Sequence, residues 1–135
     1  MKYTKMLIAA ILMVAGLLAG CSQESARTTD DSAGYRQVTA QEAKELMDSE
    51  EGYIILDVRT DEEYAGGHIP GAILIPHDDI ANQAEETLAD KDQLILVYCR
   101  SGNRSRQAAE ALAELGYTNV VDFGGINDWP YEIER

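Results

Sequence analysis

The stretch Cys99-Arg100-Ser101-Gly102-Asn103-Arg104-Ser105 combines a sulfur nucleophile with two cations, a glycine and three small polar side chains. It follows an apolar run, Leu94 to Tyr98, that reads as a strand. It precedes a segment, Ser105 to Leu115, with Ala108, Ala109, Leu112 and Leu115 at helical spacing and Gly116 as a stop. A loop in that position can turn its backbone N–H groups inward, and Gly102 permits the positive φ that such a turn needs. The helix that follows adds the positive end of its dipole. The pattern therefore predicts an anion cradle with the Cys99 sulfur at its centre, with Arg100 and Arg104 raising the local potential.

Such surroundings favour the thiolate, but ionisation is not their main benefit. A thiol moved from about 8.5 to about 6.5 gains roughly 25-fold in thiolate at neutral pH. It then gives back nearly tenfold in nucleophilicity, because the Brønsted slope is about 0.4–0.5. The net gain is about threefold. The larger contribution of this loop is to bind an incoming anion and to hold a charged sulfur species.

The surrounding elements are legible from patterning. Gln37-Val38 reads as a short strand. Thr39 with Glu42 forms a capping-box pattern that opens a helix, and Thr60 with Glu63 repeats it before a short helix ending at Gly66-Gly67. Tyr53 to Val58, Ala72 to Ile75, Leu94 to Tyr98 and Asn119 to Phe123 read as strands, and residues 78–88 as a helix. Short apolar strands alternating with helices predict an α/β domain with a mostly parallel sheet flanked by helices on both faces. Sites in such sheets lie beyond the carboxyl ends of strands. Cys99 falls at one such end, and Asp57 and Arg59 at another.

Four motifs in order resemble the rhodanese family of sulfurtransferases. They are Leu56-Asp57-Val58-Arg59-Thr60-Asp61-Glu62-Glu63-Tyr64, Gly67-His68-Ile69-Pro70-Gly71-Ala72, the Cys99 loop, and Gly124-Gly125 with Trp129. The resemblance covers about 100 residues, from Tyr35 to the end, and implies a rhodanese-like domain over 35–135. It implies that Cys99 takes the outer sulfur of a small anionic donor such as thiosulfate. The sulfur then passes from a Cys99 persulfide to a thiol or protein acceptor, without a metal or organic cofactor. In that reading Arg100, Ser101, Gly102, Asn103, Arg104 and Ser105 bind substrate. Asp57, Arg59 and His68 give structural support, with Asp57 accepting from nearby backbone, Arg59 pairing with Glu62 or Glu63, and Trp129 plugging the core. Three other readings stay open: a cysteine phosphatase or arsenate reductase, a non-catalytic binding module, and a thiol redox partner. The first is disfavoured by loop length. Tyrosine phosphatases place five residues between cysteine and arginine, and here that position holds Ser105, with Arg104 one place early.

The amino terminus carries a different message. Lys2 and Lys5 precede the apolar run Leu7 to Leu18, which is shorter than the roughly 20 residues of a membrane span. Leu18-Ala19-Gly20-Cys21 then resembles the lipobox of bacterial lipoproteins. Residues 1–20 are accordingly expected to be a lipoprotein signal peptide, Cys21 the lipidated residue, and 21–34 a polar flexible tether. The domain is expected to be a monomer in the bacterial cell envelope, outside the cytoplasm, touching the membrane through its lipid only. With Cys21 lipidated, Cys99 has no partner within the chain, and an unpaired thiol in an exported protein points to chemistry. The net charge of −13 becomes −15 once Lys2 and Lys5 are removed. That surface excludes non-specific nucleic-acid binding.

Overall fold

The computed structural model describes residues 33–135. The expected signal peptide, Cys21 and nearly all of the expected tether lie outside the described residues. Five strands form one parallel sheet: β1 (Arg36–Gln37), β2 (Ile54–Asp57), β3 (Ile73–Leu74), β4 (Ile95–Cys99) and β5 (Val120–Gly125), in the order β1-β5-β4-β2-β3. The helices are α1 (Ala40–Ser49), α2 (Asp61–Gly66), α3 (Ile80–Thr87) and α4 (Asn103–Glu114). No helix among the described residues is long and apolar enough to cross a membrane.

Strand period two divides the core into two layers. Ile95, Val97 and Cys99 of β4 join Leu56 and Val58 on the face covered by Ile80, Ala84 and Leu88 of α3 and by Ala108, Ala109 and Leu112 of α4. Leu96 and Tyr98 face the other way, with Ile55, Val121, Phe123, Ala43 of α1, Ile69 and Trp129. All five β4 residues are buried, as the centre of a parallel sheet requires. Trp129 closes the second layer against Phe123, with ring centroids 5.6 Å apart, and its indole N–H donates to the Glu132 carbonyl at 3.1 Å.

Both capping boxes read in the sequence are formed. Thr39 and Glu42 close the start of α1, and Thr60 and Glu63 the start of α2. Two expectations are corrected. The helix placed over 78–88 is a single 3₁₀ turn, His77–Asp79, followed by α3. The helix expected from Ser105 begins at Asn103. Its N-cap is Gly102 at φ 106°, with no side-chain cap, so none of the usual Ser, Thr or Asp cap signals marks the true start.

Candidate active site

The parallel sheet brings the carboxyl ends of β2, β4 and β5 to one edge, and the Cys99 loop crosses it. A bulge shapes the crossing. Val97 pairs with Asp122, but Cys99 pairs with Gly125, so β5 carries one extra residue over that interval. The Asp122 carboxylate accepts the Gly124 N–H at 3.0 Å, within the bulge. Gly125 is then pressed against the loop. A Cβ there would lie 2.1 Å from the Arg100 carbonyl oxygen and 2.7 Å from the Ser101 Cα, so only glycine lets the loop pass. The Asn127 N–H donates to the same Arg100 carbonyl at 3.2 Å and fixes the loop's first residue.

Cys99 is a free thiol, 1% exposed. This is a more enclosed sulfur than an open cradle would give, and the odd-numbered facing of β4 explains it: the side chain points toward α4, beneath the loop. The Gly102 N–H donates to its Sγ at 3.0 Å. That is the single loop amide bonded to sulfur among the described residues. The amides of Asn103, Arg104 and Ser105 form the first turn of α4 and have no backbone partner among the described residues, as helix geometry dictates. α1 and α2 satisfy such groups with capping boxes; α4 has no side-chain cap. Ser105 is buried, and its hydroxyl donates to the Gly102 carbonyl at 3.0 Å and the Gly124 carbonyl at 3.3 Å. Its side chain therefore braces the loop against β5. Ser101 and Asn103 are exposed, and Asn103 Oδ1 accepts from Arg106 at 3.4 Å.

The two loop arginines differ. Arg100 is exposed, has no ion pair among the described residues, and flanks a cleft of about 390 Å³ bounded also by Glu62, Glu63, Asn127 and Ile133. Arg104, expected to bind substrate, makes a bidentate pair with Glu63, at 2.7 and 2.9 Å. The Arg104 hydrogen bonds hold the Glu63 carboxyl down to about 2, against the opposing effect of partial burial.

Arg59 is also corrected: its partner is Asp57, not Glu62 or Glu63. Asp57 is fully buried and Arg59 nearly so. The Asp57 carboxylate accepts the Arg59 backbone N–H at 2.9 Å, its guanidinium at 2.7 to 3.1 Å, and the Tyr98 hydroxyl at 2.7 Å. Arg59 donates onward to the Gly67 carbonyl at 2.7 Å, and the Ile69 N–H donates to the Tyr98 oxygen at 3.1 Å. Burial first, and then the hydrogen bond to Asp57, push the Tyr98 phenol above its ordinary range. His68 stacks flat on Tyr64 with centroids 3.8 Å apart; its Nδ1 lies 2.9 Å from the Tyr64 carbonyl and its Nε2 3.1 Å from Glu134. Backbone bonds in both directions between His68 and Glu134 tie the carboxyl-terminal segment to this turn. These hydrogen bonds of Asp57, Arg59 and His68 all run to other parts of the domain, and Arg59 also lines the cleft beside Arg100.

The model of the rhodanese-like domain matches residues 39–131. The chain belongs to the rhodanese-like domain family. It is 41% identical over 73 residues to the thiosulfate sulfurtransferase PspE of Escherichia coli strain K12, covering 54% of this chain and 70% of that one. It is 38% identical over 96 residues to the thiosulfate sulfurtransferase GlpE of Haemophilus influenzae, covering 70% and 88%. A solved Escherichia coli rhodanese with anions superposes with a TM-score of 0.58 at 36% identity, over 62% of this chain and 98% of that one. In this rhodanese-like domain, three residues carry parts that their sequence neighbourhood did not assign. Glu63 was visible as a cap, but its arginine is 41 positions away. Tyr98 was one apolar residue of a strand, and only its hydroxyl on the Asp57 side of the sheet reveals its bond. Gly125 belonged to a recognised glycine pair whose steric purpose appears only with the loop in place.

Proposed function

We propose that this sulfurtransferase carries sulfane sulfur on Cys99. The single observation that carries the reading is the Cys99 sulfur lying beneath the uncapped start of α4, with one amide already bonded to it. The thiolate attacks the outer sulfur of thiosulfate or a like donor. A bond forms between Sγ and that sulfur, the donor's S–S bond breaks, and its electron pair leaves with sulfite. The product is a persulfide whose outer sulfur is anionic. The free first-turn amides and the positive end of α4 suit that charge, and a largely dry setting strengthens each bond. An acceptor thiolate, or cyanide in an assay, then attacks the outer sulfur and returns an electron pair to Sγ. Two such steps give ping-pong kinetics.

The burial of Cys99 fits this chemistry. What must reach the sulfur is the terminal atom of a small donor, while larger oxidants are kept out. The lipobox-like Leu18-Ala19-Gly20-Cys21 supports a further proposal, that the mature protein is lipid-anchored at Cys21 and works outside the cytoplasm as a monomer.

The test is mass spectrometry of the soluble domain after incubation with thiosulfate. The reading expects one added sulfur, about 32 Da, on Cys99 and none in Cys99→Ser. An unmodified Cys99 with turnover of an aryl phosphate would replace it with the phosphatase reading, and neither reaction would leave a binding module.

A further inference from the structure

A loop suited to anions commits one of its two arginines to an internal carboxylate, and the simple transfer mechanism does not require this. Glu63 has two tasks. Its Oε1 accepts the Thr60 hydroxyl at 3.2 Å and the Thr60 N–H at 3.4 Å, closing the start of α2. Both its oxygens also grip Arg104 in the first turn of α4. The two side chains are about one-quarter exposed, so the pair is shielded enough to persist and near enough to solvent to be felt by an entering ligand. The first task needs only a hydrogen-bond acceptor, which glutamine supplies equally in a capping box. The negative charge is needed only for the second.

We infer that Glu63 is a specificity-determining residue: by cancelling the Arg104 charge beside the sulfur loop, it sets the site for sulfane donors of lower charge than thiosulfate. The inference rests on the sulfur-transfer reading. With Arg104 neutralised, Arg100 is the one unpaired cation of the loop, and the first-turn amides carry partial charges only. A dianion gains twice as much as a monoanion from every additional positive charge. The paired Arg104 therefore removes more of the advantage of thiosulfate than of a singly charged donor with the same reactive sulfur, such as an organic thiosulfonate or an alkyl persulfide. A charge removed at roughly 8 Å in an effective dielectric of roughly 60 changes attraction about threefold for a monoanion and about tenfold for a dianion.

The experiment compares thiosulfate with methanethiosulfonate, cyanide being the acceptor for both. In each case the Cys99 thiolate bonds to the terminal sulfur and the S–S bond breaks. The electron pair leaves with sulfite from the first donor and with methanesulfinate from the second. The readout is the ratio of kcat/KM for thiosulfate to that for methanethiosulfonate, measured at low salt. In Glu63→Gln the ratio rises about threefold, whatever happens to absolute activity, because a merely structural role would scale both donors alike. The double variant Glu63→Gln with Arg104→Gln replaces one neutral pair by another and keeps the original ratio. A ratio unmoved in Glu63→Gln overturns the inference, and so does a double variant whose ratio falls clearly below the original, which would make Arg104 a direct dianion contact despite its pairing. Should Glu63→Gln fail to fold, Arg104→Gln decides together with the double variant: with the Glu63 carboxylate left unpaired the ratio falls about threefold and the double variant restores it, and a ratio unmoved in Arg104→Gln overturns the inference. If neither donor adds sulfur to Cys99, the sulfur-transfer reading itself fails, a result distinct from an unmoved ratio.

Discussion

Replacing Tyr98 by phenylalanine removes one oxygen from a fully buried position and leaves the ring's packing against Phe123 in place. Two hydrogen bonds vanish with it: the donation to Asp57 at 2.7 Å and the acceptance from the Ile69 N–H at 3.1 Å. The first is charge-assisted, a class that contributes about 1.5–3 kcal/mol net. The second leaves a buried N–H without a partner, at a cost of about 1–3 kcal/mol. Asp57 retains Arg59, so the buried ion pair itself survives and the larger penalty of an uncompensated charge is avoided. The expected loss is about 3–4 kcal/mol, a large part of the stability of a domain this size. It corresponds to a fall in Tm of more than about 10 °C. Urea unfolding is the assay, with an unchanged m-value confirming that only stability moved.

The same substitution has a pH signature. The Tyr98 phenol is pushed up in the folded state, so the unfolded chain ionises first as pH rises. The stabilisation is therefore whole below about pH 10 and lost as pH climbs beyond it. Tyr98→Phe removes that share of the alkaline slope and leaves the part due to the Tyr117 phenol, which burial also pushes up. A loss under about 0.5 kcal/mol, or an alkaline slope no shallower than before the substitution, would refute the claim that the Asp57–Arg59–Tyr98 cluster is a buried strut.

The remaining predictions concern the loop and its field. Gly125→Ala forces a methyl into the Arg100 backbone, so sulfur loading of Cys99 falls by more than tenfold, and a thermal melt shows at least about 2 kcal/mol of destabilisation; near-normal activity would mean that the loop can shift aside. Glu63, held at about 2 by Arg104, adds stability that is present above about pH 4.5 and lost as pH falls toward about 2. Its partial exposure limits this to about 1–2 kcal/mol. Acid unfolding of Glu63→Gln should lack that slope, and an unchanged acid profile would count against the pair. Finally, in the proposed reaction Arg100 and the α4 amides attract thiosulfate, while the net charge of −13, or −15 without Lys2 and Lys5, repels it. Screening over about 8 Å at physiological salt lets the nearer charges dominate. A steady fall of kcat/KM with added salt is expected, and a rise would give the far field the larger role.

The sheet and its helices were legible because their signals are local. Period-two apolar runs marked β2 and β4, and two Thr-to-Glu capping boxes marked α1 and α2. The start of α4 was missed for a reason connected with chemistry. The N-cap is Gly102 at positive φ with no side-chain cap, so the Ser, Thr or Asp that usually marks a helix start is missing there, where the proposed site lies. The partner of Arg59 was misjudged because sequence proximity favoured Glu62 and Glu63, and for Arg104 the sequence pointed to no partner at all. In space, the sheet face turns Arg59 back onto Asp57, and α2 delivers Glu63 to a helix 41 residues away. The enclosure of Cys99 followed from strand parity, which fixes its face but was outweighed in sequence reasoning by the polar company that follows it.

The account stands on the uncapped first turn of α4 receiving an anionic sulfur attached to Cys99. A crystal structure of the domain loaded with thiosulfate and freed of excess donor tests this most directly. The expected result is an outer sulfur bonded to Sγ and lying within hydrogen-bond distance of the amides between Ser101 and Ser105. A loaded sulfur turned away from those amides, or density for an intact oxyanion bound there with Cys99 unmodified, would contradict it.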